Sequence, residues 1–358
     1  MTKSIYIILP LLAGLAACNS TSTQNKSGQA NDTTIVAALK PLIVTDTVQH
    51  DTDDPAIWIN PSDPAKSLII GTDKDSDGAL FVFNLQGKII NKVSGLKRPN
   101  NVDIAYGFQL NGKRVDIAVV TERETNKLRI YSLPDMKAVD NGGIPVFEGE
   151  TEKDPMGIAL YTAPDYSIYA IAGRKSGPSG SYLWQYQLRD NGKGAITGTV
   201  VRKFGSYSGK KEIESIAADN ELGYIYYSDE QQGVHKYYAD PAKGDKELAL
   251  FGEQGFIGDH EGISIYKKGK GTGYILVSNQ QKNTFMVYPR EGTAKNNNDH
   301  QLIAEIPVST LESDGSDVTA VDLGPDFPKG LFVAMSNGKV FHYYDWRGLQ
   351  DKIDTATK

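Results

Sequence analysis

The stretch LIIGTDKDSDGALFVFNL, residues 68–85, sets two short apolar runs on either side of a polar turn, the pattern of a β-hairpin. The same pair returns along the chain. DIAVVTE from Asp116 leads to LRIYSL, IYAIAGR from Ile168 to LWQYQL, YIYYSDE from Tyr224 to VHKYYA, YILVSNQ from Tyr274 to FMVYPR, and LFVAMSN from Leu331 to VFHYYD. Gly78, Asn126, Gly180, Gly233, Asn283 and Gly338 supply turn residues between the runs. Successive units start roughly 48 to 57 residues apart, which suits a four-stranded propeller blade with its loops. The expectation is an all-β chain, a six-bladed β-propeller with four-stranded antiparallel blades. Unrelated sandwich hairpins would also alternate strand and turn, but nothing obliges them to keep this period.

Composition agrees with that class. A chain of 358 residues, 39% of them hydrophobic and 36 of them glycine, can bury a large core and is too rich in glycine for a helical bundle. At the N-terminus Lys3 precedes the apolar run IYIILPLLAGLAA, too short to span a bilayer permanently, and this reads as a secretion signal. The run ends in Leu15-Ala16-Ala17-Cys18, which resembles the lipobox of bacterial lipoproteins. Residues 1–17 are therefore expected to be a signal peptide and Cys18 the lipidated first residue of the mature chain. Residues 18–34, rich in Ser, Thr, Asn and Gln, read as a tether that cannot bury enough apolar surface to order itself, and residues 35–358 as the propeller domain. By the same resemblance, Asn19 rather than Asp after the cysteine directs the anchored protein to the outer membrane of a bacterial envelope, with release to the medium as the other outcome.

Cys18 is the only cysteine, which forbids an intramolecular disulfide and removes thiol catalysis from the folded domain. After cleavage, 37 basic residues face 44 acidic ones, a formal charge of −7. That surface disfavours nucleic acid and anionic lipid, leaves the anchor as the only membrane contact, and makes cations plausible partners. A monomer is expected.

Roughly 10 to 15 residues before each apolar run stands a further short segment, in the place of a blade's innermost strand: DDPAIWI, NVDIAYG, MGIALY, IESIAAD, HEGISIY and SDVTAVDL. Asp53 and Asp54, Asp103, Glu214, Asp259 with Glu261, and Asp317 with Asp322 then occupy equivalent places in successive blades and converge at one end of the channel. Bare, such a ring repels itself. Hard cations with oxygen ligands relieve it, and Ca²⁺, which takes six to eight oxygens in loose geometry, suits carboxylates carried on different blades. Zinc does not fit, because the five histidines show no ligand spacing. Lys74, Arg123 and Lys175 each follow the first apolar run of a blade, where the chain turns toward that same end. Calcium with converging Lys and Arg describes an oxyanion site, most naturally for phosphate. The motif TDKDSDG at 72–78 imitates the start of an EF-hand loop, but Asn84 stands where the closing Glu belongs, and a plain acidic turn is the expected reading, with an ad hoc calcium loop through Asp73, Asp75 and Asp77 as the alternative.

DTDDPAIW at 51–58, NNVDI at 100–104, IESIAADNELG at 213–223, DHEGISIY at 259–266 and SDVTAVDLG at 316–324 resemble the β-propeller phytases, calcium-dependent bacterial enzymes that hydrolyse phytate. The resemblance runs from about residue 35 to the C-terminus. It implies a calcium cluster at the mouth of the channel, a cleavage site for one phosphate and an adjacent site that grips a second. It implies calcium ligands at Asp54, Asp103, Glu214, Asp259, Glu261 and Asp317, and places Asp53 and Asp322 in the same acidic pattern. It further implies phosphate binding by Lys74, Arg123 and Lys175, a second-site carboxylate at Glu230, and polar lining from Asn101 and Gln280. The implied chemistry is in-line attack on phosphorus by a calcium-bound water, with Lys74 and Arg123 neutralising charge and no covalent nucleophile. The implied substrate is phytate or another inositol phosphate as its calcium complex. Met156, Ser176 and Thr319 depart from the family pattern, where a tyrosine, an acid and an aspartate are usual. A non-catalytic binding propeller and a different calcium-dependent propeller hydrolase are the competing readings.

Overall fold

Each inner segment is a strand that opens one sheet. The computed structural model describes residues 37–358, so the segment expected to be a signal peptide, Cys18 and the expected tether lie outside the described residues. Thr52–Trp58, Pro99–Leu110, Pro155–Thr162, Ile216–Asp219, His260–Gly269 and Ser316–Thr319 each begin an antiparallel sheet, and the apolar runs pair outward from them in sequence order. Five sheets have four strands, and the second has five because the short strand Lys137–Ala138 also pairs with Lys127–Leu133. The six-bladed expectation is met.

Closure of the ring was not part of the sequence reading. The sixth blade takes its outermost strand from the other end of the domain, Ile43–Val44, which pairs with Val340–Asp345 in the register Ile43↔Tyr343 and Val44↔His342. Six apolar clusters follow, one between each pair of neighbouring blades. Ile57, Phe81 and Phe83 of blade 1 meet Val333 and Phe341 of blade 6, for example, and Trp58 and Leu80 meet Val120 and Tyr131 of blade 2. Between blades 1 and 6 the approach is so close that a Cβ on Gly71 would strike the Phe341 ring. After the last strand the chain forms a helix, Trp346–Ala356, capped by Asp345 and burying Trp346, Leu349 and Ile353. The Trp346 ring stacks on Tyr266 of blade 5 at 3.5 Å between centroids.

The inner strands surround a cavity of about 490 Å³ lined by residues of all six blades. Neighbouring blades are pinned around it by side chains that accept backbone N–H groups across the gap. Asp317 accepts from Ile57 at 2.7 Å, Asp54 from Val102 at 3.0 Å, Asp103 from Leu160 at 2.7 Å, and Ser215 Oγ from Ile263 at 2.9 Å.

Candidate active site

Because neighbouring strands are antiparallel, the start of each inner strand and the end of the next strand lie at the same rim. Asp53 therefore stands beside Lys74, which follows Leu68–Asp73, and Glu214 stands near Glu230, which follows Tyr224–Asp229. Lys74 Nζ lies 3.3 Å from Asp53 and 3.4 Å from Asp314, bridging blade 1 and blade 6. Arg123, which opens the turn after Lys113–Glu122, is buried and donates through Nη2 to Asn100 Oδ1 and Met156 Sδ, with Glu214 Oε1 at 3.9 Å. Asn100 in turn donates to Glu214 at 2.7 Å and to Asn101 at 2.8 Å, which holds the Glu214 carboxylate toward the arginine. A Cβ on Gly157 would collide with the Glu214 carbonyl, so only glycine lets blade 3 pass this close.

Two carboxylate triplets form on this rim. The oxygens of Glu212, Glu214 and Glu230 lie within 4.8 Å of one another, as do those of Glu230, Asp259 and Glu261, with Glu230 shared. Glu230 Oε1 and Glu261 Oε2 are buried without a hydrogen-bond partner among the described residues. Unpartnered buried carboxylate oxygens clustered at this spacing are the donor set a hard divalent cation takes, so the residues fit one.

The electrostatics agree. Burial pushes the Glu230 carboxyl up to about 8, with Lys211 pulling the other way and Glu214 adding to the rise. Burial also drives Glu261 well above the ordinary range, assisted by Glu214, Glu230 and Asp314. Asp53 rises well above its ordinary value for the same first reason, although Lys74 opposes it. Asp259 is the exception: burial acts to raise it, but Lys211, Gln231 and Gln281 outweigh burial and leave it lowered. Carboxyls raised together are acids held apart from water and from enough positive charge.

The structure divides the residues singled out from sequence. Asp53, Lys74, Asn101, Arg123, Glu214, Glu230, Asp259 and Glu261 gather at the mouth. Gln280 joins them through a hydrogen bond to Asp314, and Lys175, more exposed, lies 3.8 Å from Glu212. Asp54, Asp103 and Asp317 line the cavity behind the mouth, where backbone N–H groups of the next blade already use one oxygen of each. Asp322 is not brought to the site. It lies beyond the far end of Ser316–Thr319, exposed, and its carboxylate accepts from Gly324 N in a turn. The TDKDSDG stretch is an acidic turn: Asp73 accepts from the backbone of His50 and Asp51, and Asp75 from that of Asp77.

The sequence reading missed Asn100, Lys211, Glu212 and Asp314. Asp314 carried a signal, since SDGSD at 313–317 offers two acids and the reading took the second. Glu212, two residues before Glu214, offered one as well.

Comparison with known proteins assigns the chain to a family. The phytase family model matches residues 4–342. A 3-phytase of Bacillus subtilis (strain 168) is 32% identical over 304 residues, covering 80% of this chain and 75% of that protein.

The chain belongs to the phytase family.

A solved structure titled "Structure of Dos1 propeller" is 12% identical and covers 82% of this chain and 67% of its own, with a TM-score of 0.42, an overlap too low to add to the assignment. Within the phytase family the three departures have local explanations. Met156 is fully buried and packs its sulfur against Arg123. Ser176 donates to Glu152 at 2.6 Å, and Thr319 Oγ1 accepts from Val321 N at 3.2 Å.

Proposed function

We propose that this protein is a calcium-dependent phosphoric monoester hydrolase that releases phosphate from phytate, with several calcium ions bound at the mouth. The observation that carries the reading is the Glu230-centred pair of triplets facing Lys74 and Arg123 on one rim. Glu212, Glu214, Glu230, Asp259 and Glu261 would hold the ions, which supply positive charge and a water acidic enough to attack phosphorus. Lys74 and Arg123 bind and orient the phosphate, and their charges offset what gathers on its oxygens as the ester bond breaks. Asn100 keeps Arg123 and Glu214 in register. Lys175, at the rim, is placed for a second phosphate of the same inositol ring. Asp54, Asp103 and Asp317 remain candidate ligands for a cation on the channel axis.

The basic residues favour phosphate over the ester substrates of other propeller hydrolases, and family membership disfavours a purely non-catalytic binding propeller. Phosphate release from phytate by the purified protein should require calcium and stop on addition of EDTA. EDTA should also lower the melting temperature, since an ion bound only by the folded state stabilises it by mass action. Full activity after chelation and dialysis would overturn the calcium reading.

We propose further that the monomeric enzyme is anchored through lipid on Cys18 at the bacterial envelope. Cys18→Ser should move active enzyme from the membrane fraction to the soluble fraction, and continued sedimentation with membranes would count against the anchor.

A further inference from the structure

We propose that Lys211 competes with a divalent cation for the carboxylates of Glu230 and Asp259 and so sets how much calcium the protein needs. The inference rests on the calcium reading above.

Lys211 belongs to the loop that joins Ile196–Phe204 of blade 3 to Ile216–Asp219 of blade 4, and its side chain is 40% exposed. From there its ammonium reaches 2.7 Å from Glu230 Oε2 and 2.6 Å from Asp259 Oδ2, both on side chains that are almost wholly buried. Those two residues, with Glu261, make up one of the two triplets. Asp259 has no oxygen to spare in this arrangement. Gln231 donates to Oδ1 at 3.0 Å and Gln281 to Oδ2 at 2.9 Å, alongside the lysine.

A divalent ion bound by the same oxygens would stand at nearly the same point as the ammonium. Two cations cannot share it, because their repulsion in a desolvated pocket exceeds anything the remaining lone pairs return. The long flexible stem lets the ammonium leave toward solvent instead.

The other triplet meets Lys211 at one member only, the shared Glu230, rather than at two. Among the described residues the lysine nearest its other two members, Lys175, is exposed and reaches only Glu212, at 3.8 Å. Arg123 approaches Glu214 no closer than 3.9 Å. The geometry therefore orders the two positions: the Glu212–Glu214–Glu230 position fills first, and the Glu230–Asp259–Glu261 position fills only as Lys211 is displaced.

Calorimetric titration of calcium into the full-length protein, Lys211→Gln and Lys211→Arg tests this without reference to activity. Wild type is expected to bind in two phases. In Lys211→Gln the weaker phase should tighten about fivefold, the size expected for losing a partly exposed ion pair as competitor, while Lys211→Arg, which keeps the charge, should stay near wild type. The calcium-induced rise in melting temperature should grow in Lys211→Gln for the same reason. Should that variant fold only with calcium present, chelator-driven calcium release replaces the titration, with slower release from Lys211→Gln expected. Unchanged or weaker calcium binding, or equal or faster release, overturns the role of Lys211. Wild type that binds no calcium overturns the calcium reading and this inference together.

Discussion

Glu261→Gln should lower phytate hydrolysis by about two to three orders of magnitude while leaving the fold intact. Glu261 begins the inner strand of blade 5, is 2% exposed, and is held by its own carbonyl, which accepts from Ser228 Oγ at 2.8 Å. Its Oε2 has no partner among the described residues, and its oxygens sit within 4.8 Å of those of Glu230 and Asp259. Glutamine keeps the volume and removes the charge. A residue of purely structural importance would then show a stability defect, but the opposite is expected here. Burial and three neighbouring carboxylates already push Glu261 toward its neutral form, so an uncharged isostere relieves repulsion in the calcium-free protein. The calcium-free variant should melt no lower than wild type, calcium should raise its melting temperature less, and turnover should fall by the factor typical of losing one preorganised charge at a reacting centre. Activity within about fivefold of wild type at saturating calcium would remove Glu261 from the site.

The split between Asp53 and Asp54 shows where sequence reasoning stops. Both stand at the start of the same inner strand, and a strand sends successive side chains to opposite faces. One therefore meets Lys74 at the mouth, while the other turns into the cavity to pin blade 2. A one-dimensional pattern marks that an acid belongs here and leaves open which of two neighbours meets Lys74. The same ambiguity displaced Asp314 in favour of Asp317. The blades themselves were legible because each must repeat an apolar hairpin to bury its faces against two neighbours, and that need writes a period into the chain. The two-residue strand Ile43–Val44 is too short to carry any period, and its pairing partner lies almost 300 residues away. The terminal helix did leave a trace, with Trp346, Leu349 and Ile353 at helical spacing, but it follows directly on a strand whose aromatic pattern dominates the reading. Lys211 left none. On a loop rich in Ser, Gly and Lys it is indistinguishable from a solvated cation until the fold brings Asp259 across from blade 5.

Lys74→Met should separate the two tasks this lysine performs. Lys74 is the only cation within 4 Å of Asp53 among the described residues, and Asp53 is completely buried. Removing it leaves a buried carboxylate facing Asp314 and Glu214 with only the weaker pull of Arg123 to offset them, a loss of about 3 kcal/mol by the general cost of breaking such a pair. Asp53 limits that loss by taking up a proton, because burial already raises its carboxyl far above the ordinary range. The sign follows: a raised carboxyl is stable protonated, so the calcium-free variant should be least impaired in acid and should lose stability as the pH rises toward neutrality and the proton is withdrawn. Calcium bound nearby supplies positive charge to the same cluster and should restore most of the melting temperature at neutral pH. It should not restore turnover. Ions held by Glu230, Asp259 and Glu261 would not replace a phosphate-binding ammonium anchored on Asp53 and Asp314, so kcat should remain about 10² to 10³ below wild type. Melting curves with and without calcium from pH 5 to 8, run beside steady-state phytate hydrolysis, read both effects. A variant whose activity returns together with its stability on adding calcium would make Lys74 a counter-ion to Asp53 and nothing more.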